Sequence, residues 1–240
     1  MNIPVQMLRN IPIAFRADIS YTHVMVEIRR YEKKDRDAVV TICHRTGYFG
    51  EDAAQYFKDA ELFGLLFTAY YLDYEPEHCF VADDNGKAVG YIIGSADTVA
   101  QREAFDRLVV PRIIRRAFTK TLFRHPGDVW FLLGLTDHAE YEKELFTEDL
   151  VTKFPAHLHM NVLPGYQRRG LGTRLMAKFL DSMAAAGAPG MHLVTSTENK
   201  KALPFYRREG FTLFKELPTK LWEQKSPPTV RTLVFVKPLL

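Results

Sequence analysis

The stretch Phe154–Pro155–Ala156–His157–Leu158–His159–Met160–Asn161–Val162–Leu163–Pro164–Gly165–Tyr166–Gln167–Arg168–Arg169–Gly170–Leu171–Gly172 decides how this chain is read. His157 to Leu163 is an apolar run of strand length. Pro164 and Gly165 end it, because proline has no N–H to give a ladder and the pair favours a turn. Next comes the basic turn Gln167 to Gly172, and then Thr173–Arg174–Leu175–Met176–Ala177–Lys178–Phe179–Leu180. Apolar residues at 171, 175, 176, 179 and 180 keep the i, i+4 rhythm of an amphipathic helix. Strand, glycine-bearing turn and helix start therefore follow one another. Such a junction gathers unpaired backbone N–H groups and the positive end of the helix dipole, a setting suited to a phosphate or pyrophosphate.

Taken alone, Gly-x-Gly before a helix is weak punctuation, since most such pairs only turn a corner. It is not Gly-x-Gly-x-x-Gly, because Leu175 stands where the third glycine would be, and no Gly-Lys-Ser/Thr follows as in a P-loop. The fuller pattern is more specific. Gln167-x-x-Gly170-x-Gly172 between strand and helix resembles motif A of the GNAT superfamily of acetyl-CoA-dependent N-acetyltransferases. Downstream, Leu193 to Asn199, then Ala202, Pro204–Phe205–Tyr206 and Gly210–Phe211, resembles that superfamily's second half. The resemblance implies an α/β fold, a central mixed sheet flanked by helices. It also implies transfer of acetyl from acetyl-CoA to a primary amine.

Composition agrees with an ordinary globular chain. Of 240 residues, 47% are hydrophobic and 25% charged, enough to bury a core. The formal charge of +3 is too small to point to nucleic acid. No apolar run approaches the roughly 18 residues of a membrane span, and Met1 to Val5 lacks a signal peptide's basic and apolar regions. The two cysteines, Cys43 and Cys79, are too few for a disulfide framework and read as buried thiols of a reducing compartment. A cytoplasmic protein with neither nucleic-acid nor membrane partner and no metal is expected, and a homodimer is left open.

Residues 1–24 read as an extension, packed on the body through Ile11, Ile13 and Phe15. Val26 to Tyr31 alternates as a first strand, and Ala38 to Cys43 continues as a helix. The aromatic-rich pattern from Glu51 to Leu72 is helical. Cys79 to Ala82 and Ala88 to Gly94 form a hairpin across Asn85–Gly86, the strongest short hairpin signal. Residues 98–153 are an insertion. Its first part, Ala100 to Lys120, is helical and basic and should be kinked or divided by Pro111. Its second part, Asp137 to Leu150, is acidic and helical, so that the two form a wall or lid. After the motif A helix come a strand Met191 to Ser196, a helix Asn199 to Glu209, and strands Phe211 to Glu216 and Val230 to Val236. One domain, 1–240, is expected, with residues 154–216 as its acetyl-CoA-binding core.

A narrower resemblance rests on Arg29–Arg30–Tyr31, Thr41 to Gly47, Glu75–Pro76–Glu77–His78–Cys79–Phe80–Val81, Gly90 to Gly94 and Phe154 to His159. These segments resemble the acetyltransferase-like domain at the C-terminus of animal O-GlcNAc hydrolases and its free-standing bacterial relatives. The animal domain lacks a usable cofactor loop, whereas this chain keeps Gln167, Gly170 and Gly172.

The superfamily resemblance assigns roles by position. The amides of Arg168, Arg169, Gly170, Leu171, Gly172 and Thr173 take the pyrophosphate, with the two glycines leaving out Cβ atoms that would hold it away. Met160, Asn161 and Val162 offer main-chain groups to the pantetheine arm, and Asn199, which could equally be a plain helix cap, contacts it. Tyr206, two helical turns beyond Asn199, matches the general acid; its other reading is a core tyrosine. A phenol of pKa about 10 can protonate a thiolate of pKa about 8.5 at modest cost. The base is less defined. Several family members use Glu where this chain has Val194, and relatives often carry an acid where it has Asn161. His157 and His159 alternate onto one strand face as candidate bases, with Asp137 and His138 as further candidates. The acceptor is an amine of a small molecule, an amino sugar or a peptide. The alternative is a non-catalytic acyl-CoA-binding module.

Overall fold

The computed structural model describes residues 26–133 and 138–239. The expected extension, residues 1–24, lies outside them, as does Asp137; of His138 only the backbone is described. Seven strands, β1 (Glu27–Arg30), β2 (Phe80–Asp84), β3 (Lys87–Ser95), β4 (Ala156–Val162), β5 (Gly190–Ser196), β6 (Thr212–Pro218) and β7 (Arg231–Pro238), form one sheet. Their order is β1-β2-β3-β4-β5-β7-β6. Only β4 and β5 run parallel, so the sheet is mixed as expected. Between β2 and β3, Asn85 (φ 54°) and Gly86 (φ 85°) both take left-handed backbone, the pair that a two-residue type I′ hairpin turn requires.

Helices cover both faces. On one lies α10 (Leu171–Ala185), joined by α11 (Ala202–Arg208). Leu171, Leu175, Met176, Phe179 and Met183 pack there on Phe80, Ile92, Leu158 and Leu193, the stripe read from the sequence. On the other face α1 (Arg36–Arg45), α2 (Ala60–Phe67) and α3 (Ala69–Tyr74) set Val39, Ile42, Phe63 and Leu65 against Val81, Tyr91 and Ile93. The aromatic stretch expected as one helix from Glu51 to Leu72 is therefore divided. Asp59 starts α2 by accepting from Leu62 N–H at 3.0 Å, an N-cap that makes a new helix beginning, and Thr68 separates α2 from α3.

The insertion is helical throughout its described part: α4 (Thr98–Leu108), α5 (Val110–Arg116), a π-helical turn (Ala117–Thr121), α6 (Leu122–Arg124), α7 (Pro126–Leu133), α8 (His138–Leu145) and α9 (Glu148–Lys153). Pro111 divides α4 from α5 as expected, sitting in the first turn of α5, where its missing N–H costs nothing. The acidic stretch is likewise two helices rather than one, with Thr147 at the N-cap of α9.

Polar anchors tie the first half of the insertion to the segment that leads into α2. The Asp128 carboxylate accepts from the amides of Lys58 (2.9 Å) and Asp59 (2.7 Å). Asp59 in turn receives Arg116 Nη2 at 2.7 Å and Thr121 Oγ1 at 2.6 Å. Phe131 packs on Phe57 and on Trp222, with ring centroids 5.6 and 5.1 Å apart. The second half rests elsewhere, with Leu145 and Leu150 on Val234 and Val236. Arg102 bridges the basic and acidic halves by pairing with Glu142.

Candidate functional site

The central strands part well before the glycine turn. β4 meets β5 only at its start, Ala156 opposite Met191 and His157 opposite His192, while along its other edge β4 stays paired with β3 as far as Val162. Leu163 N–H bonds to Val89 C=O at 3.0 Å. In an antiparallel pair such bonded positions alternate. Odd-numbered residues of β4 thus turn their main chain to β3, and Met160 and Val162 turn theirs to the gap. Asn161, expected to offer main-chain groups with them, faces β3 instead and contributes its side chain. The carbonyl of Val162 is taken by Gln167 Nε2 at 3.0 Å, so Gln167 ties the end of β4 to the turn.

The turn itself is a concave array of donors. Arg168 (φ 62°) and Gly170 (φ 75°) have left-handed backbone on either side of Arg169, which curls successive amides toward one side, a nest for an anion. Gly170 is the N-cap of α10 and no side chain caps it. Among the described residues no acceptor is bonded to the amides of Arg168 to Thr173. A Cβ on Gly170 would meet nothing within 4 Å, so the turn is open to a ligand. Gly172 works differently from the expectation. A Cβ there would stand 3.2 Å from the Phe205 ring, so its absence lets α10 and α11 pack closely. Arg169 lies over the Tyr166 ring, 5.1 Å from its centroid, and Arg168 is exposed. The Thr173 hydroxyl turns away to Glu209, at 2.6 Å.

The candidate catalytic side chains sit near the gap. Tyr206 is buried in α11 among Phe205, Phe211 and Phe235. Desolvation pushes its pKa up to about 12, so it carries its proton at neutral pH. Burial above all, with Tyr206 a minor contributor, raises the pKa of the Tyr91 phenol. Asn199 does not share a helix with Tyr206, contrary to expectation, because α11 begins only at Ala202. Pro204 explains the late start: proline is tolerated in a first turn, but further into a helix its ring meets the carbonyl four residues back. Asn199 instead faces Gly50 and lines a cleft of about 290 Å³ with Tyr48, Glu51, Lys201 and Pro227.

His157 and His159 share one face of β4 as expected, but their surroundings differ. His157 has both ring nitrogens engaged, Nε2 with Tyr71 Oη and Nδ1 with Thr98 Oγ1, each at 2.7 Å. Burial, with His192 and His159 nearby, lowers its pKa to about 3. His159 meets Tyr91 Oη through Nδ1 at 3.2 Å and lies 3.4 Å from Asn161 Nδ2 through Nε2; burial lowers its pKa to about 4. Tyr91 is the residue sequence reasoning missed. It looked like one more apolar position of a hairpin strand, and only the register of β3 on β4, which sets it opposite Asn161, reveals its part. Val194 is apolar and 42% exposed on the facing strand. Both cysteines are buried and unpaired in disulfides. Among the described residues no helix is long and apolar enough to cross a membrane, and no group of three His, Cys, Asp or Glu could hold a metal ion.

Comparison with known proteins agrees with this geometry. The model of the acetyltransferase (GNAT) domain matches residues 135–213. The crystal structure of SsHAT superposes with a TM-score of 0.72 at 31% identity, covering 90% of this chain and 99% of that one. The structure of yncA from Salmonella typhimurium, a putative acetyltransferase with its cofactor acetyl-CoA, shares the fold at 16% identity (TM-score 0.51, 90% and 94% of the two chains). Protein O-GlcNAcase of Rattus norvegicus is 24% identical over 189 residues, 79% of this chain and 20% of that protein. This chain thus spans about a fifth of the curated relatives it matches. With its mixed sheet, parted central strands and open amide turn, the chain belongs to the GNAT acetyltransferases, whose cofactor is acetyl-CoA.

Proposed function

We propose that this protein transfers the acetyl group of acetyl-CoA to a primary amine of a small molecule, an amino sugar or a peptide, within one domain whose cofactor-binding core is residues 154–216. The observation that carries the reading is the run of amides from Arg168 to Thr173 without acceptors, set beyond the end of β4, which parts from β5 after His157. In this reading those amides hold the pyrophosphate, and Gln167 fixes the turn that presents them. Met160 and Val162 offer main-chain groups to the pantetheine arm, and Asn199 borders the cleft from which the acceptor enters. The cofactor supplies a thioester, an activated acyl group.

Tyr206 is the acid. A phenol held protonated by burial delivers its proton to the departing sulfur. His159 is the base, preferred over His157 because its two ring contacts are looser, 3.2 and 3.4 Å, than the 2.7 Å bonds at both nitrogens of His157. An imidazole with a pKa near 4 is unprotonated at pH 7. The same desolvation lowers the pKa of an amine brought beside it, easing the transfer. A second reading, a non-catalytic acyl-CoA-binding module, is favoured by one observation: an apolar, exposed Val194 stands where the superfamily resemblance would put a carboxylate base.

The test is CoA release during incubation with acetyl-CoA and a panel of amino sugars, polyamines and peptides. Turnover with at least one amine is expected. Tyr206→Phe keeps the ring and should lower turnover by about 10²–10⁴-fold with acetyl-CoA affinity nearly unchanged. The gap should narrow above pH about 8.5, where the thiolate leaves unaided. A Phe variant as fast as the parent would remove Tyr206 from the mechanism. No release with any amine would leave the binding module as the better account.

A further inference from the structure

Behind His159 stands a group that the mechanism above does not use. Tyr91 is fully buried on β3, its ring edge-on to His159 with centroids 5.7 Å apart. Two polar groups meet its hydroxyl: Asn161 Nδ2 donates to it at 2.9 Å, and His159 Nδ1 lies at 3.2 Å. Asn161 Nδ2 also lies 3.4 Å from His159 Nε2.

Counting protons settles which nitrogen of the neutral ring carries hydrogen. A phenol has one hydrogen to donate and lone pairs to accept. Were Tyr91 to donate to Nδ1, the ring hydrogen would sit on Nε2 and face Asn161 Nδ2, a second donor. Turning the Asn161 amide over does not help, because its oxygen and Nδ1 would then compete for the single phenol hydrogen. If instead Nδ1–H donates to Tyr91, the phenol accepts from both His159 and Asn161 through its lone pairs. Nε2 is left with its lone pair toward the amide. Of these arrangements this one alone sets no donor against a donor and leaves no ring nitrogen contesting a hydrogen, as a buried polar cluster requires.

We infer that Tyr91 is a positioning residue that holds neutral His159 in its Nδ1–H form, so that the proton-accepting lone pair lies on Nε2, against the Asn161 amide. The inference gains its catalytic meaning from the reading of His159 as base, but the tautomer can be measured without any acceptor. The bond made at one ring nitrogen fixes what the other can do.

The experiment is long-range proton–nitrogen correlation spectroscopy of the ¹⁵N-labelled full chain at neutral pH, with the His159 signals identified by their loss in His159→Gln. The parent should show the Nδ1–H form. Tyr91→Phe removes the acceptor for that hydrogen, and the tautomer ratio should shift about tenfold toward Nε2–H, the worth of roughly one hydrogen bond. Asn161→Ala keeps the phenol but removes the donor that opposes a hydrogen on Nε2, so the ratio should shift the same way in a variant that keeps the Tyr91 ring. An Nε2–H form in the parent, or an unmoved ratio in both variants, overturns the inference. Failure of the base reading looks different: His159→Gln would release CoA at the parent rate while the tautomer results still held.

Discussion

The turn from Arg168 to Thr173 and the strand face of His157, His159 and Asn161 lie only a few residues apart, yet the fold treats their polar groups in opposite ways. In the turn, amides have no acceptor within the described chain and open space lies beside Gly170. On the strand face, polar side chains satisfy one another: His157 with Tyr71 and Thr98, His159 and Asn161 with Tyr91. Most buried polar groups in proteins are paired. In this account the unpaired donors of the exposed turn are where a ligand supplies acceptors in place of water, and the saturated strand-face cluster is where geometry is held. Cofactor binding in this account is a property of backbone, and proton transfer is a property of side chains fixed from behind.

The largest break in that contrast should come from Gly170→Asp. The new side chain meets nothing in the protein, although its left-handed backbone costs roughly 1–2 kcal/mol in folding stability. It places a negative charge where anionic oxygens are expected to lie. Acetyl-CoA affinity should fall by about 10²-fold or more, from lost charge-assisted bonds and repulsion, while thermal unfolding shows a still-folded chain. Calorimetry showing parent affinity would detach the turn from the cofactor.

A smaller effect sharpens the other side of the contrast. His157 has a folded pKa near 3, and His159 and His192 near 4, all lowered first by burial. A histidine that stays neutral when folded but is protonated when unfolded gives stability that is whole above pH about 6.5 and is lost as pH falls below it. Each such group steepens the acid limb by about 1.4 kcal/mol per pH unit between its two pKa values. Denaturant melts at pH 7 and pH 5 should show this loss. His157→Gln, less stable at neutral pH through its broken bonds, should have a limb flatter by one proton. An unchanged slope would mean that His157 is not held neutral by the fold.

What could be read from the sequence was whatever a few neighbouring residues decide. The strand, glycine turn and amphipathic helix from Ala156 to Ala185 carry their own punctuation, as does the Asn85–Gly86 hairpin. Boundaries set by one residue's backbone chemistry were less visible: Asp59 starting α2, and Pro204 delaying α11 past Asn199. Least visible was anything created by pairing across the long insertion or with it. Tyr91 and Asn161 are 70 residues apart, as are Lys58 and Asp128. Their meeting depends on strand register and helix docking, which no local pattern encodes. Gly172 shows the same limit, since its partner Phe205 comes from another helix.

The central claim is that the amides from Arg168 to Thr173 are the anchor for acetyl-CoA. Titration of the parent protein with acetyl-CoA, followed through backbone amide resonances, tests it directly. The account predicts that the largest shifts belong to Arg168–Thr173, with Met160 and Val162 at the parted strands moving with them. Saturable binding that leaves those amides still and moves instead Tyr48, Glu51 and Lys201, around the cleft beside Asn199, would contradict it.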